Sequence, residues 1–147
     1  MIAIDTNILV YAHRVDSAWH GPAAAAIAPL ANGAQPWAIP WPCVHEFLAV
    51  VTHPRIFAPP TPLTRACDQL DAWLESPSVT LLGEGPGYWP TFRALALKGR
   101  VAGAMVHDGR IAALCLHHGV SELWTADRDF SRFATLAVRN PLVVHHA

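Results

Sequence analysis

The sequence is poor in charged residues, in cysteine and in long apolar runs. Only 14% of its 147 residues are Asp, Glu, Lys or Arg, whereas an average globular protein has roughly 25%. The net charge is −1, so no overall positive field attracts nucleic acid, and any such site must depend on local cations or metal ions. Because 52% of the residues are hydrophobic, we expect a second protein surface to cover part of the exterior.

Three scattered cysteines, Cys43, Cys67 and Cys115, stand in apolar surroundings. Their odd number and wide spacing predict free thiols in a reducing compartment, and they argue against a disulfide framework or a zinc site. The first residues lack the basic and apolar regions of a secretory signal, and no apolar run reaches the roughly 18 residues of a membrane span. We therefore expect a cytoplasmic protein with no membrane attachment.

Nine histidines are present, but their spacing matches no common metal-binding motif such as HExxH. The adjacent pairs His117-His118 and His145-His146 would point apart on a helix or a strand. A GxGxxG segment is also missing after the first apolar stretch, which argues against a dinucleotide-binding domain. Histidine-built metal sites and nucleotide cofactors are therefore not predicted.

Short apolar runs alternate with helical patterns along the chain. The sequence predicts strands at residues 1–4, 37–40, 79–82 and 122–126, and a last one within 136–141. Helices are predicted at 8–14, 19–31, 42–53, 64–74, 88–98 and 107–118, with Thr64 as a cap and Gly119 just past the last helix. This alternation indicates one α/β domain over residues 1–147, with a central, mainly parallel sheet and helices on both faces.

The first strand, MIAI, delivers three polar side chains together: Asp5, Thr6 and Asn7. An uninterrupted apolar strand is typical of a buried parallel sheet, and open α/β sheets bind ligands at the carboxyl ends of their strands. The same residues also suit the start of a helix, because their side chains accept hydrogen bonds from free backbone N–H groups. This pattern is compatible with two roles for Asp5, a residue of a ligand site or a helix cap.

Three further acidic residues occupy comparable positions. Asp127 follows the apolar strand and also suits a turn or a cap, and Asp108 opens a helix whose dipole favours a carboxylate. Glu46 lies in mid-helix on a face shared with Cys43 and Phe47, where a lone carboxylate is costly to bury. Four carboxylates converging at one sheet edge cannot all stay ionised without a cation. The residue types therefore predict a Mg²⁺ or Mn²⁺ site.

Four segments in this order, MIAIDTNILVYA, CVHEFLAVV, VHDGRIAALCLHHG and ELWTADRDFSRF, resemble the PIN-domain ribonucleases over nearly the whole chain. The similarity is greatest to the VapC-type toxins of VapBC toxin–antitoxin pairs. It implies a PIN-like α/β/α sandwich. The family's catalytic, metal-binding acids match Asp5, Glu46, Asp108 and Asp127.

Supporting positions of the family also have counterparts. Thr125 matches the polar residue before the fourth acid, and Asn7 matches a supporting position of the first motif, with Thr6 as close polar support. Asp129 could replace or assist Asp127. Candidate cations for holding RNA are Arg14, Arg100, Arg110 and Lys98. Candidate aromatic side chains for stacking on bases, or for core or dimer packing, are Trp19, Trp41 and Trp89.

The resemblance further implies Mg²⁺- or Mn²⁺-dependent endoribonuclease activity, homodimers and a cognate antitoxin protein that blocks the site, with tRNA or rRNA as typical substrates. The alternative is a non-catalytic PIN-fold module that binds RNA or protein, although unused buried carboxylates would be costly. A haloacid-dehalogenase-like phosphatase would need a second aspartate where Asn7 stands. One departure is Gly109, where the family usually has alanine, which puts local helix stability in question.

Overall fold

The order of helices and strands follows the alternation predicted from the sequence. A computed structural model describes residues 1–143. Its strands are β1 (Ile2–Ile4), β2 (Trp37–Pro40), β3 (Val79–Leu82), β4 (Glu122–Trp124) and β5 (Val138–Arg139). Its helices are α1 (Thr6–His13), α2 (His20–Asn32), α3 (Trp41–Val51), α4 (Leu63–Leu74), α5 (Tyr88–Gly99) and α6 (Met105–His117), and a 3₁₀ turn spans Arg128–Arg132. The His145-His146 pair lies outside the described residues.

The strands β1 to β5 are all parallel and form one sheet in the order β3-β2-β1-β4-β5, which confirms the predicted α/β architecture. From β1 the chain proceeds to β2 and β3 on one side, and it continues on the other side as β4 and β5. The neighbouring strands β1 and β4 therefore lead into connections on opposite sides, so a crevice opens at their carboxyl ends. Ile4 is paired with Trp124, and the residues that follow them, Asp5 and Thr125, enter this crevice together.

The central strands are buried, as their uninterrupted apolar sequences predict. Ile4 of β1 and residues 37–39 of β2 have no exposed surface. Helix α1 packs against α2 and α3, and α5 packs against α6. The fully buried ring of Phe47 in α3 contacts the rings of His13 and Trp73 edge-on. Within residues 1–143, no helix combines the length and the apolar character that a bilayer crossing requires.

The helix ends agree in part with those predicted from the sequence. Gly119 follows the end of α6 with φ +69°, a left-handed conformation that suits glycine at this position. Helix α6 begins at Met105, before the predicted residue 107, and this places Asp108 in its first turn. The prediction that Thr64 caps α4 is wrong. The helix begins at Leu63 with no side-chain cap, and the extended backbone of Pro62 leads into it.

The tryptophans fall into two groups. Trp37 in β2 is fully buried, whereas Trp19, Trp41 and Trp89 are 44%, 41% and 64% exposed. Core packing is therefore the role of Trp37 alone among these four. Trp41 and Trp89 therefore leave aromatic surface exposed, whereas Trp37 leaves none.

Gly109 allows a direct test of the packing between α5 and α6. A Cβ atom at this position would meet Phe92 at 3.5 Å and Val101 at 3.7 Å, which are ordinary contact distances. Because alanine is favoured over glycine by roughly 1 kcal/mol in a helix interior, we expect Gly109→Ala to raise the free energy of unfolding by about 0.5–1 kcal/mol. Urea denaturation measures this change.

The matched control is Gly33→Ala, whose Cβ would lie 2.5 Å from the carbonyl oxygen of Pro29. This variant should be less stable than the wild type because backbone must shift to admit the methyl group. A lower free energy of unfolding for Gly109→Ala would contradict the packing described for α6.

Candidate functional site

The crevice at the carboxyl ends of β1 and β4 contains all four acidic residues that the sequence singles out. Asp5 directly follows β1, Asp127 lies shortly after β4, Glu46 is in α3 and Asp108 is in α6. They line one open cleft of about 330 Å³. The structure therefore brings together side chains that are far apart in sequence.

Asp5 is the most buried of the four, with 4% of its surface exposed, and both of its carboxylate oxygens are hydrogen-bonded. Thr6 N donates to Oδ1 at 2.7 Å, so Asp5 caps α1, and Cys43 Sγ donates to the same oxygen at 3.6 Å. Oδ2 accepts from Thr125 Oγ1 at 2.8 Å and from Asn7 Nδ2 at 3.2 Å. The cap is thus confirmed, and it leaves a ligand role open because Asp5 still lines the cleft.

The surroundings of Asp5 disfavour its charged form. The pKa of Asp5 is raised to about 6, chiefly by burial and further by the Glu46 charge, while hydrogen bonds from Thr125 and Thr6 lower it. Burial and the nearby Asp5 charge raise the pKa of the Cys43 thiol well above its ordinary value, so this thiol keeps its proton and can donate to Asp5 at neutral pH. A bound cation would favour the Asp5 carboxylate and offset the effect of burial.

Asn7 and Thr125 connect the start of α1 to the segment after β4. Asn7 Nδ2 donates to Thr125 Oγ1 at 3.2 Å, and Asn7 Oδ1 accepts from Ala126 N at 3.1 Å. Thr125 Oγ1 also accepts from Asp127 N at 3.0 Å. These bonds fix the position of Asp127 relative to Asp5, which is the arrangement expected of supporting residues.

Thr6 explains how a glutamate is accommodated on the apolar face of α3. Its hydroxyl donates to Glu46 Oε2 at 2.7 Å, and its backbone N–H donates to Asp5. Thr6 is itself 8% exposed, so its geometry is fixed by packing. One residue therefore positions two carboxylates of the cleft.

Asp108, Asp127 and Asp129 form a second compact group in the site. One carboxylate oxygen from each lies within 4.8 Å of the others. Asp127 caps the 3₁₀ turn by accepting from Asp129 N at 2.8 Å, as its turn interpretation predicts. The pKa of Asp108 is raised by burial and by the charges of Asp127, Glu46 and Asp129.

The donor atoms of the site fit a hard divalent cation. Clustered carboxylate oxygens are the ligands that Mg²⁺ and Mn²⁺ prefer, and these ions retain water in their remaining positions. Among residues 1–143, those that line the cleft include neither histidine nor cysteine. Asp129 lies beside Asp108 and Asp127 but does not line the cleft, so its predicted role of replacing or assisting Asp127 stays a prediction.

One wall of the cleft is apolar and was not predicted. It is formed by Val10, Tyr11, Val50, Ile56 and Phe57. The Arg14 guanidinium carbon lies 4.2 Å from the centroid of the Phe57 ring and supports it. The sequence pattern could not reveal the contribution of Ile56 and Phe57, because these residues belong to an irregular connection between α3 and α4.

Two of the cations predicted to hold RNA are engaged in ion pairs. Arg14 pairs with Asp16 and Arg110 pairs with Glu84, each at 2.5 Å. Their charges are therefore largely neutralised within the chain. The other two candidates, Lys98 and Arg100, are exposed at the end of α5.

Comparison with known proteins finds relatives over nearly the whole chain. Residues 2–136 match the family model of the PIN domain. Ribonuclease VapC43 of Mycobacterium tuberculosis is 37% identical, over 97% of this chain and 96% of the relative. Ribonuclease VapC48 of the same species is 31% identical, over 93% of this chain and 94% of the relative.

A solved structure of VapBC2 from Rickettsia felis, bound to a DNA fragment from their promoter, shares the architecture. It aligns with a TM-score of 0.68 at 20% identity, over 95% of this chain and 98% of the compared chain. This agreement confirms the PIN-like α/β/α fold. By the family match and the two relatives together, the chain belongs to the PIN-domain family, and within it to the VapC ribonucleases.

Proposed function

We propose that the protein is a Mg²⁺- or Mn²⁺-dependent endoribonuclease and the toxin of a type II toxin–antitoxin pair. One observation carries the proposal, the convergence in one cleft of Asp5, Glu46, Asp108 and Asp127. The relationship to ribonucleases over the length of the chain supports it. The reaction is cleavage of RNA phosphodiester bonds, with tRNA or rRNA in the cytoplasm as the substrate class.

The acidic residues would hold one or two divalent ions, which acidify and orient a water molecule and neutralise charge on the scissile phosphate. Asp108, Asp127 and Asp129 are close enough to share one ion, since their oxygens lie within 4.8 Å of one another. Asp5 is held by donors on both oxygens, and Glu46 is held by the Thr6 hydroxyl. Both carboxylates therefore present a fixed geometry to the cleft.

A non-catalytic PIN-fold module that binds RNA or protein remains the alternative function. In such a module Asp5 would have a pKa of about 6, and only its hydrogen bonds would offset the cost of burying its charge. A buried carboxylate of this kind is better explained by a cation that favours its charged form. Metal-dependent cleavage distinguishes the two functions.

We further propose that a cognate antitoxin blocks the cleft with an arginine side chain. The planar guanidinium group pairs bidentately with carboxylates and would compete with a metal ion for them. The related Rickettsia felis structure is of a VapBC pair, which supports a partner of this kind.

A homodimer is the assembly we propose for the toxin. Trp41 and Trp89 are 41% and 64% exposed, and exposed aromatic surface of this kind is typical of interfaces. Trp41 is stacked on His45 and Trp89 on Phe92, so both rings are already ordered. A second copy of the chain would cover apolar surface that the low charge content leaves open.

The first test of the proposed function removes single carboxylates. We expect Asp5→Asn and Asp108→Asn each to lower the rate of RNA cleavage by about 100-fold or more, because each removes a charged ligand. Cleavage of total RNA is measured with Mg²⁺ or Mn²⁺ present, and circular dichroism monitors folding. Asp71→Asn on the exposed surface of α4 is the matched control. Full activity of both site variants would rule out this metal centre.

A second test uses pH. Because the pKa of folded Asp5 is about 6, against 3.8 for its ordinary value, its contribution to stability is present below about pH 4 and is lost as pH rises through 6. In EDTA, the Asp5 contribution should therefore lower the free energy of unfolding by about 1.4 kcal/mol between pH 5 and pH 7.5, which is the second half of a total loss of about 3 kcal/mol that begins near pH 4. Addition of Mn²⁺ should raise stability more at pH 7.5 than at pH 5. Chemical denaturation at the two pH values measures both effects.

Asp5→Asn is the control for the pH experiment, because asparagine also caps helices but does not titrate. Its pH dependence in EDTA should be smaller than that of the wild type. An identical pH dependence in both proteins would show that Asp5 is already ionised in the folded, metal-free state.

The antitoxin proposal predicts that a small protein encoded beside this gene copurifies with the chain and inhibits its RNA cleavage. Replacing every arginine in the tail of that partner with glutamine should restore cleavage, since neutral amides cannot pair with the carboxylates. Coexpression followed by pull-down and a cleavage assay measures both results. Failure to copurify, or inhibition that survives without the arginines, would contradict the proposal.

A further inference from the structure

A second cavity, which we call the β5 pocket, adjoins the acidic cleft. It has a volume of about 410 Å³ and lies at the carboxyl ends of β4 and β5. Its walls are formed by Thr125, Ala126, Asp127, Arg128, Ser131, Val138, Arg139, Asn140 and Val143. Asp127 lines both the cleft and the pocket, so the two spaces meet at a candidate metal ligand.

The β5 pocket carries two cations that are not engaged in ion pairs. Arg128 and Arg139 are exposed, and within residues 1–143 the only ion pairs are those of Arg14 and Arg110. The guanidinium carbon of Arg139 lies 5.7 Å from the centroid of the Trp124 ring, which restrains this long side chain. These arginines thus place positive charge beside a site that, under the proposed function, binds the phosphate groups of RNA.

The remaining walls offer a mixture of polar and apolar groups. Asn140 Oδ1 accepts from Leu142 N at 3.0 Å, which orients the Asn140 amide, and Ser131 adds a hydroxyl group. Val138 and Val143 supply apolar surface. Apolar walls with a few fixed polar groups, in a cavity of several hundred Å³, are typical of small-ligand sites.

The backbone holds the β5 pocket in register with the acidic residues. Thr125 N donates to Arg139 O at 2.9 Å, and Leu123 N donates to Ala137 O at 2.9 Å. Thr125 also donates through its hydroxyl to Asp5. Arg139 is therefore tied to Asp5 through a single intervening residue, and the distance between pocket and cleft is fixed.

We propose that the β5 pocket binds one nucleotide of the RNA strand adjacent to the scissile bond. Arg128 and Arg139 contact the phosphate of that nucleotide, and its sugar and base lie against Val138 and the Asn140 amide. This inference rests on the proposed ribonuclease function and adds to it the direction in which the strand leaves the cleft. The pocket then selects for a strand whose neighbouring nucleotide is unpaired, because a paired base could not enter it.

The test measures RNA binding separately from cleavage. The variants are Arg128→Gln, Arg139→Gln and the double variant, and the matched control is Arg93→Gln, an exposed arginine of α5 that lines neither cavity. The probe is a fluorescein-labelled single-stranded oligoribonucleotide of twelve random positions, titrated in EDTA and followed by fluorescence anisotropy. Each single site variant should weaken binding by about 3- to 10-fold and reduce the salt-dependence slope by about 1, the double variant should reduce the slope by about 2, and the control should change neither.

Two further measurements locate the bound strand. With Mn²⁺, the site variants should raise KM for RNA while leaving kcat within about twofold, since binding is lost without loss of the metal ligands. A 4-thiouridine-substituted form of the probe should crosslink to peptides that contain residues 125–143, and the double variant should lose this crosslink.

Unchanged binding in the double variant, or crosslinks that map only elsewhere, would overturn the inference. Loss of antitoxin copurification with RNA binding intact would also overturn it, because the pocket would then be a protein-docking site. If the wild type binds RNA through the two arginines but never cleaves it, the pocket stands and the proposed nuclease function fails.

Discussion

The burial of the Asp5 carboxylate at the carboxyl end of β1 is the constraint on which the rest of the site depends. A charge in that position is unfavourable, and hydrogen-bond donors from four residues stabilise it: Thr6, Asn7, Cys43 and Thr125. Three of these donors also have a second structural task. Thr6 holds Glu46, and Thr125 and Asn7 hold the segment of Asp127. The architecture of the cleft is therefore organised around one desolvated group.

The strand order explains why the site lies where it does. Because β1 and β4 are neighbours whose following connections diverge, the sheet itself leaves a crevice at their ends. The helices α3 and α6 then contribute one acid each. The fold therefore determines where the cleft lies, and the acidic side chains determine which ligands it can bind.

Most of this arrangement could be predicted from sequence, because it is encoded in local patterns. Uninterrupted apolar strands, proline and glycine punctuation and a glutamate in an apolar helix predicted the fold and the four acids. The apolar wall at Ile56 and Phe57 and the ion pair of Arg110 with Glu84 could not be predicted in this way. Each depends on the path of an irregular connection, and such paths follow from tertiary packing and not from periodicity.

The hydrogen bond between Thr125 and Asp5 joins residues that are 120 positions apart in the chain. The site therefore cannot assemble until β4, near the end of the sequence, has been synthesised and paired with β1. A chain that ends between Asp108 and β4, through premature termination or proteolysis, still contains Asp5, Glu46 and Asp108 but lacks Asp127 and the Thr125 hydroxyl. The activity proposed for this site thus requires the chain to extend at least through Asp127.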